Sequence, residues 1–221
     1  MSSPNFGERR GGARPSIIVI HFTAMESCEE ARARLCDPAA EVSVHWLISE
    51  RGELDALVDE AMRAWHAGAG EWAGITDVNS HSIGIELANR GNHPFPEPQM
   101  AALEGLLRGI MARWGIAPHR VIGHSDMAPG RKSDPGGRFD WRRLARGGVS
   151  VWPGDQSAAG SRGFIEDAQR FGYPDLGADL VLRAFRLRFR PAAIGPLDTV
   201  DARMAADLAQ RFPVDGAGRQ A

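Results

Sequence analysis

Residues 121–137 read V-I-G-H-S-D-M-A-P-G-R-K-S-D-P-G-G. A short apolar strand, Val121 and Ile122, delivers His124 at its end, and a loop stiffened by Pro129 and loosened by Gly130 then delivers Lys132 and Asp134. In extended backbone residues i and i+2 point the same way, so Lys132 and Asp134 can face one pocket. Pro135 and Gly136 stop further pairing and keep the segment at a surface, where binding residues usually sit. An imidazole and a carboxylate are ordinary zinc ligands, yet a catalytic zinc normally takes three protein ligands and leaves one position open. A third ligand has to come from elsewhere in the chain.

It is available at His21. Residues 16–21, S-I-I-V-I-H, are β-branched and apolar on both faces, the pattern of a strand in the middle of a sheet. A histidine at the end of such a strand stands where open α/β sheets place their ligands. Either histidine alone reads more readily as a satisfied structural residue. Two strand-end histidines together with an aspartate flanked by Lys132 and Pro135-Gly136 shift the reading toward ligation.

The segments I-V-I-H-F-T, V-S-V-H-W-L-I-S-E-R-G-E-L, R-A-W-H-A-G, S-I-G-I-E-L and G-H-S-D-M-A-P-G-R-K-S-D-P-G closely resemble the zinc-dependent N-acetylmuramoyl-L-alanine amidases of the AmpD/AmiD group, relatives of phage amidases and of peptidoglycan-recognition proteins. The resemblance covers nearly all of residues 1–153, in order. It implies an α/β fold, a central mixed β-sheet flanked by helices, with one Zn2+ per chain held by His21, His124 and Asp134, and Glu86 and Lys132 as the catalytic pair. It also implies hydrolysis of the amide between N-acetylmuramic acid, including its 1,6-anhydro form, and the first L-alanine of a muropeptide or peptidoglycan stem. A related phage pattern has Cys at the position of Asp134, so this chain follows the AmpD/AmiD branch. A non-catalytic peptidoglycan-recognition module is the alternative, and the complete set of five residues argues against it. An unrelated zinc amide hydrolase on the same fold is a third, more distant reading.

The chain has 221 residues, 43% of them hydrophobic, and a formal net charge of −2. That is enough for a medium domain with its own core and a smaller one. The near-neutral charge gives no reason to expect nucleic acid or an anionic membrane as partner. No apolar run approaches the length of a membrane span, and residues 1–15 are polar and rich in Arg and Gly, without the apolar stretch of a secretion signal. A cytoplasmic location is the resulting expectation. Cys28 and Cys36 lie on one expected helix, about 12 Å apart along its axis, too far for a disulfide.

Further along, Val42, Val44, Trp46 and Ile48 alternate with Ser43, His45, Leu47 and Ser49, and residues 50–53 supply a turn, so a hairpin is expected with a return strand over 54–58. His45 points away from the Val/Trp face and is a candidate for substrate contact or for a bond across the sheet. The loop 64–68, A-W-H-A-G, suits a groove wall, and in the family it borders the substrate. Arg63, Trp65 and His66 are therefore substrate-binding candidates, with Asn79 near the same strand. Residues 82–87, S-I-G-I-E-L, form a strand with Gly84 and Glu86 on one face. A carboxylate there needs a partner: a salt bridge explains it, and beside a zinc site a general base explains it better.

Residues 99–114 carry Met100, Leu103, Leu106, Leu107, Ile110 and Trp114 at spacings of three and four, an amphipathic helix for the sheet. A short helix starting at Asp140, Trp141 and Leu144 closes the catalytic domain, 1–153. Composition shifts at Gly147 to a linker-like run reaching Gly163. Beyond it a small three-helix domain, 160–213, is expected, with helices over 164–171, 179–190 and 201–212 and Asp198 or Thr199 as an N-cap. It resembles the C-terminal peptidoglycan-binding-like domain of the AmiD branch, chiefly through A-F-R-L-R-F-R-P. Arg183, Arg186, Arg188 and Arg190 alternate with Leu182, Phe185, Leu187 and Phe189, and solvated guanidiniums on a packed helix are expected. The tail, 214–221, is expected to be disordered.

Overall fold

The computed structural model describes residues 2–154 and 161–214. Among the described residues seven strands form: β1 (Phe6–Gly7), β2 (Ile17–Phe22), β3 (Trp46–Ile48), β4 (Leu54–Ala56), β5 (Arg63–Ala64), β6 (Ser82–Leu87) and β7 (Val121–Gly123). The helices are α1 (Cys28–Leu35), α2 (Val78–His81), α3 (Glu97–Trp114), α4 (His124–Met127), α5 (Trp141–Arg146), α6 (Phe164–Phe171), α7 (Ala178–Phe189) and α8 (Thr199–Arg211). None of the described helices is long and apolar enough to cross a membrane. Cys28 and Cys36 form no disulfide.

The main sheet has the order β4-β3-β6-β2-β7, and only the edge pair β3/β4 is antiparallel. β3, β6, β2 and β7 are parallel, which sets all their C-terminal ends along one side of the sheet. Parallel strands need cover on both faces, and β2 shows it: Ile17, Ile18, Val19 and Ile20 are all fully buried. Ile18 and Ile20 pack with Ile83, Ile85 and Leu87 of β6 against Met100, Leu103, Leu107 and Ile110 of α3. That helix ends where Gly115 takes the left-handed conformation, φ 69°.

Ile17 and Val19 point to the other face. There, with Ile122 and Val78, they meet Phe164, Phe171, Phe185 and Phe189 from the C-terminal helices. The composition shift near Gly147 therefore divides the chain in sequence while one apolar cluster spans it. Val149 and Val151, inside the run read as linker, are buried; residues 155–160 of that run lie outside the described residues.

The C-terminal helices fall close to their expected ranges, and the Asp198 carboxylate caps α8 by accepting from the Val200 and Asp201 N–H groups. The arginines of α7 depart from expectation. Arg183 is exposed, but Arg186 is buried against Asp201 and Arg188 against Asp126, and Arg190 pairs with Asp198 and Asp201. Alternation with leucine and phenylalanine reports which side chains are interior only when the interior lacks acids, and here Asp126 and Asp201 face this helix from within. Of the tail, the Val214 N–H donates to the Arg170 carbonyl at 2.8 Å, and 215–221 lie outside the described residues.

Candidate metal centre and cleft

Sheet register builds the site. In neighbouring parallel strands His21 stands opposite Glu86, and Glu86 stands opposite Leu47 of β3. β7 stops at Gly123, and the next residue opens the single helical turn α4, which turns His124 back toward His21. Asp134 arrives by its own loop, tied to that turn by a Ser125 N–H to Asp134 carbonyl bond of 2.9 Å. A cis peptide links Asp134 to Pro135. The three side chains meet closely: His21 Nδ1 lies 2.9 Å from His124 Nδ1, and the two nitrogens lie 2.9 and 3.0 Å from Asp134 Oδ2.

The surrounding hydrogen bonds select one tautomer for each neutral ring. The Val78 carbonyl can only accept, so the Ser82 hydroxyl donates to it at 2.6 Å and is left to accept from His66 Nε2–H at 3.1 Å. His66 Nδ1 must then accept from His21 Nε2–H, 3.0 Å away. On the other ligand, the Ala67 carbonyl accepts from His124 Nε2–H at 2.8 Å. With Nε2–H engaged in this way, Nδ1 is the lone-pair nitrogen of each ring in its neutral form. Two imidazole nitrogens and a carboxylate oxygen face one another within 3.0 Å, a donor set that a shared proton or a metal cation between them satisfies. Burial, ahead of the neighbouring His124, lowers the His21 pKa to about 4, which keeps the ring in its neutral, ligating form. These donor types fit zinc.

Glu86 Oε2 is buried and has no hydrogen-bond partner among the described residues. Burial first, and the charge of Asp134 second, push its carboxyl well above the usual range, with Lys132 pulling the other way. Lys132 is exposed at the mouth. The centre opens into a cleft of about 420 Å³ lined by Phe22, Thr23, Met25, Arg34, Trp65 and Lys132 among others.

The substrate candidates divide. Trp65 and His66 line this cleft, but both His66 nitrogens are engaged inward, and its ring lies so close over β6 that a Cβ on Gly84 would come within 2.5 Å of it. Its geometry is that of a prop behind His21. His45 does not touch the cleft: it is fully buried, its Nδ1 accepts from the Gly84 N–H at 2.9 Å and its Nε2–H donates to the Met62 carbonyl. β3 begins only at Trp46, so the alternation that put His45 on a pocket face does not extend to it. Asn79 is buried, its Oδ1 accepting from the His66 and Ala67 N–H groups, and Arg63 is bound to Asp77 and Ser80. These two shape the 64–68 loop from behind. Arg34 and Arg131 line the cleft without having been singled out in sequence. Arg34 sits on a short helix of charged residues, and nothing in that pattern says which charge faces a groove.

The C-terminal ends of the parallel strands thus gather two imidazole nitrogens, a carboxylate and an unpartnered glutamate, a set that fits the class of metal-centred hydrolases. Residues 11–137 match the N-acetylmuramoyl-L-alanine amidase family model, and the chain belongs to that family. It is 34% identical over 238 residues to the Escherichia coli N-acetylmuramoyl-L-alanine amidase AmiD, covering 91% of this chain and 85% of that protein. It is 32% identical over 161 residues to the 1,6-anhydro-N-acetylmuramyl-L-alanine amidase AmpD of Haemophilus influenzae, covering 65% of this chain and 88% of the other. The solved complex of the E. coli AmiD with the substrate anhydro-N-acetylmuramic acid-L-Ala-D-gamma-Glu-L-Lys superposes with a TM-score of 0.82 at 33% identity, over 96% of this chain and 99% of that one. An AmpD/AmiD-type amidase is thus the particular member of the class.

Proposed function

We propose that the enzyme hydrolyses the amide between N-acetylmuramic acid, in its anhydro form among others, and the L-alanine of a muropeptide, with one zinc ion held by His21, His124 and Asp134. The observation that carries this is the convergence of His21 Nδ1 and His124 Nδ1 on Asp134 Oδ2, with Glu86 beside His21 in the sheet. Zinc bound there supplies a Lewis acid for the amide carbonyl and brings the pKa of a water down toward 7.

The chain's own residues do the rest. Glu86, with its free Oε2, orients the attacking water, takes its proton and returns it to the alanine nitrogen as the C–N bond breaks. Lys132 brings a positive charge to the carbonyl oxygen as it gains negative charge. His66 and the Ala67 carbonyl hold the two ligand rings in the tautomer that presents Nδ1. Arg34, Arg131 and Lys132 make the cleft walls cationic, which suits a stem peptide that carries carboxylates.

The test is to incubate the protein with anhydromuramyl-tripeptide, with and without a strong chelator. Release of free tripeptide that stops on chelation and resumes on adding zinc is the expected result. Binding without chelator-sensitive release would replace the hydrolase with a recognition module.

A further inference from the structure

α4 is one turn long, so nothing in its own length holds it. Its closure depends on Asp126, whose Oδ2 accepts from the Gly123 N–H at 2.8 Å and so fixes the Ile122–Gly123 peptide at the end of β7, one residue before His124. Asp126 is fully buried, and its remaining partners come from the far end of the chain. The Tyr173 hydroxyl donates to Oδ1 at 2.6 Å, and Arg188 Nη1 donates to Oδ2 at 2.8 Å. The same guanidinium donates through Nη2 to the Val121 carbonyl and to Ser150 Oγ, so it spans the strand before the turn and the turn itself. It lies 4.4 Å over the Trp141 ring, in surroundings that exclude water and strengthen each of these bonds.

The second support of His124 leads to the same place. Its Nε2–H donates to the Ala67 carbonyl, and the loop carrying that carbonyl is pinned by Trp72. This indole is buried and packs edge-on to Phe171 at 5.6 Å and Tyr173 at 5.1 Å. The Ala73 N–H donates to the Gly172 carbonyl at 2.8 Å. The loop is also stitched to α4 by a Glu71 N–H to Met127 carbonyl bond.

We infer that the C-terminal helices are a positioning clamp for His124: Tyr173 and Arg188 hold the turn that carries it, and the corner around residues 171–173 holds the carbonyl that orients its ring. This assigns Asp126, Tyr173, Arg188 and Trp72 as positioning residues. It rests on the proposed metal site and goes beyond it, giving the C-terminal helices a part in assembling the centre. The guanidiniums of Arg186 and Arg188 are occupied inside the fold, so those two are not offered to a ligand.

The test uses the full chain as Tyr173→Phe, Arg188→Lys and, as control, Leu208→Ala, a buried α8 residue. Tyr173→Phe removes one hydroxyl and keeps the ring's packing, so it remains informative if the arginine variant folds poorly. Zinc affinity is measured by competition with a chromophoric chelator, thermal midpoint by circular dichroism, and kcat and KM on the anhydromuramyl-tripeptide. The expected result is a zinc affinity lower by about tenfold or more in the two test variants, with kcat reduced and KM unchanged. The control should lower the midpoint and keep the zinc affinity. Unchanged zinc affinity in Tyr173→Phe, or an equal loss in the control, would overturn the clamp. Weaker zinc binding in the variants of a parent that releases no peptide would uphold the clamp and sink the amidase reading. A parent that binds no zinc overturns both.

Discussion

Glu86 combines two features that work against each other for stability and together for chemistry. Its Oε2 is buried without a partner, and burial with the Asp134 charge raises its pKa. Replacing it by Gln removes an ionisable group whose charged form burial disfavours. Glu86→Gln is therefore expected to leave the thermal midpoint unchanged or higher while turnover falls about 10²- to 10⁴-fold, the usual share of a general base. Kinetics and a melting curve on the same sample decide it, and loss of both stability and activity would make Glu86 structural. His45 carries the opposite balance. Burial, joined by Arg9 and opposed by the Met62 carbonyl, Glu60 and Asp59, lowers its pKa to about 4, and the His66 ring faces it at 5.8 Å. The unfolded ring binds a proton near pH 6.5, so the stabilisation is complete above that value and is lost as pH falls toward 4. The difference in unfolding free energy between the parent and His45→Gln should shrink between pH 7 and pH 5. Denaturant titrations at the two values measure it, and a constant difference would contradict a neutral buried His45.

At the level of elements, the long pieces and some short ones, such as β7 and α5, were legible, and the single-turn helices were not. β2, β6 and α3 have enough residues for a periodic pattern, and each lies within a residue or two of its expected bounds. α2 and α4 are four residues each, about one turn, and one turn has no period to detect. They are also where the site is made: α4 swings His124, and α2 provides the Val78 carbonyl that begins the proton ordering through Ser82 and His66. The α6 end shows how tightly such corners fit. Gly172 has φ 140°, and a Cβ there would lie 2.6 Å from the Trp72 ring. Gly172→Ala should cost about 1–3 kcal/mol by backbone strain and displace Trp72. A fall in the unfolding free energy with a shift in tryptophan fluorescence is the expected outcome, and an unchanged spectrum would show that the corner yields elsewhere.

Across the whole molecule, the packing does not stop where the composition changes. Ile17, Val19 and Ile122 of the sheet share a cluster with Phe164, Phe171, Phe185 and Phe189. A chain ended after Gly154 would bare that sheet face, and a large exposed apolar patch drives association. Such a chain should lack a cooperative melting transition or aggregate; a monomer with a sharp transition would restore the picture of two independent units. By itself the sequence determined the strands of the main sheet, the principal helices and the identity of the residues that gather at the strand ends, because burial writes a period into long segments and strand ends in parallel sheets point to one place; the two-residue strands β1 and β5 carry no such pattern. Only the tertiary structure decided that His45 and Asn79 serve the fold, that His66 props His21, and that Arg186 and Arg188 are interior. A histidine or an arginine reads the same in sequence whether it faces solvent, a ligand or a buried carboxylate, and its partners here lie tens of residues away along the chain, as Arg188 does from Asp126.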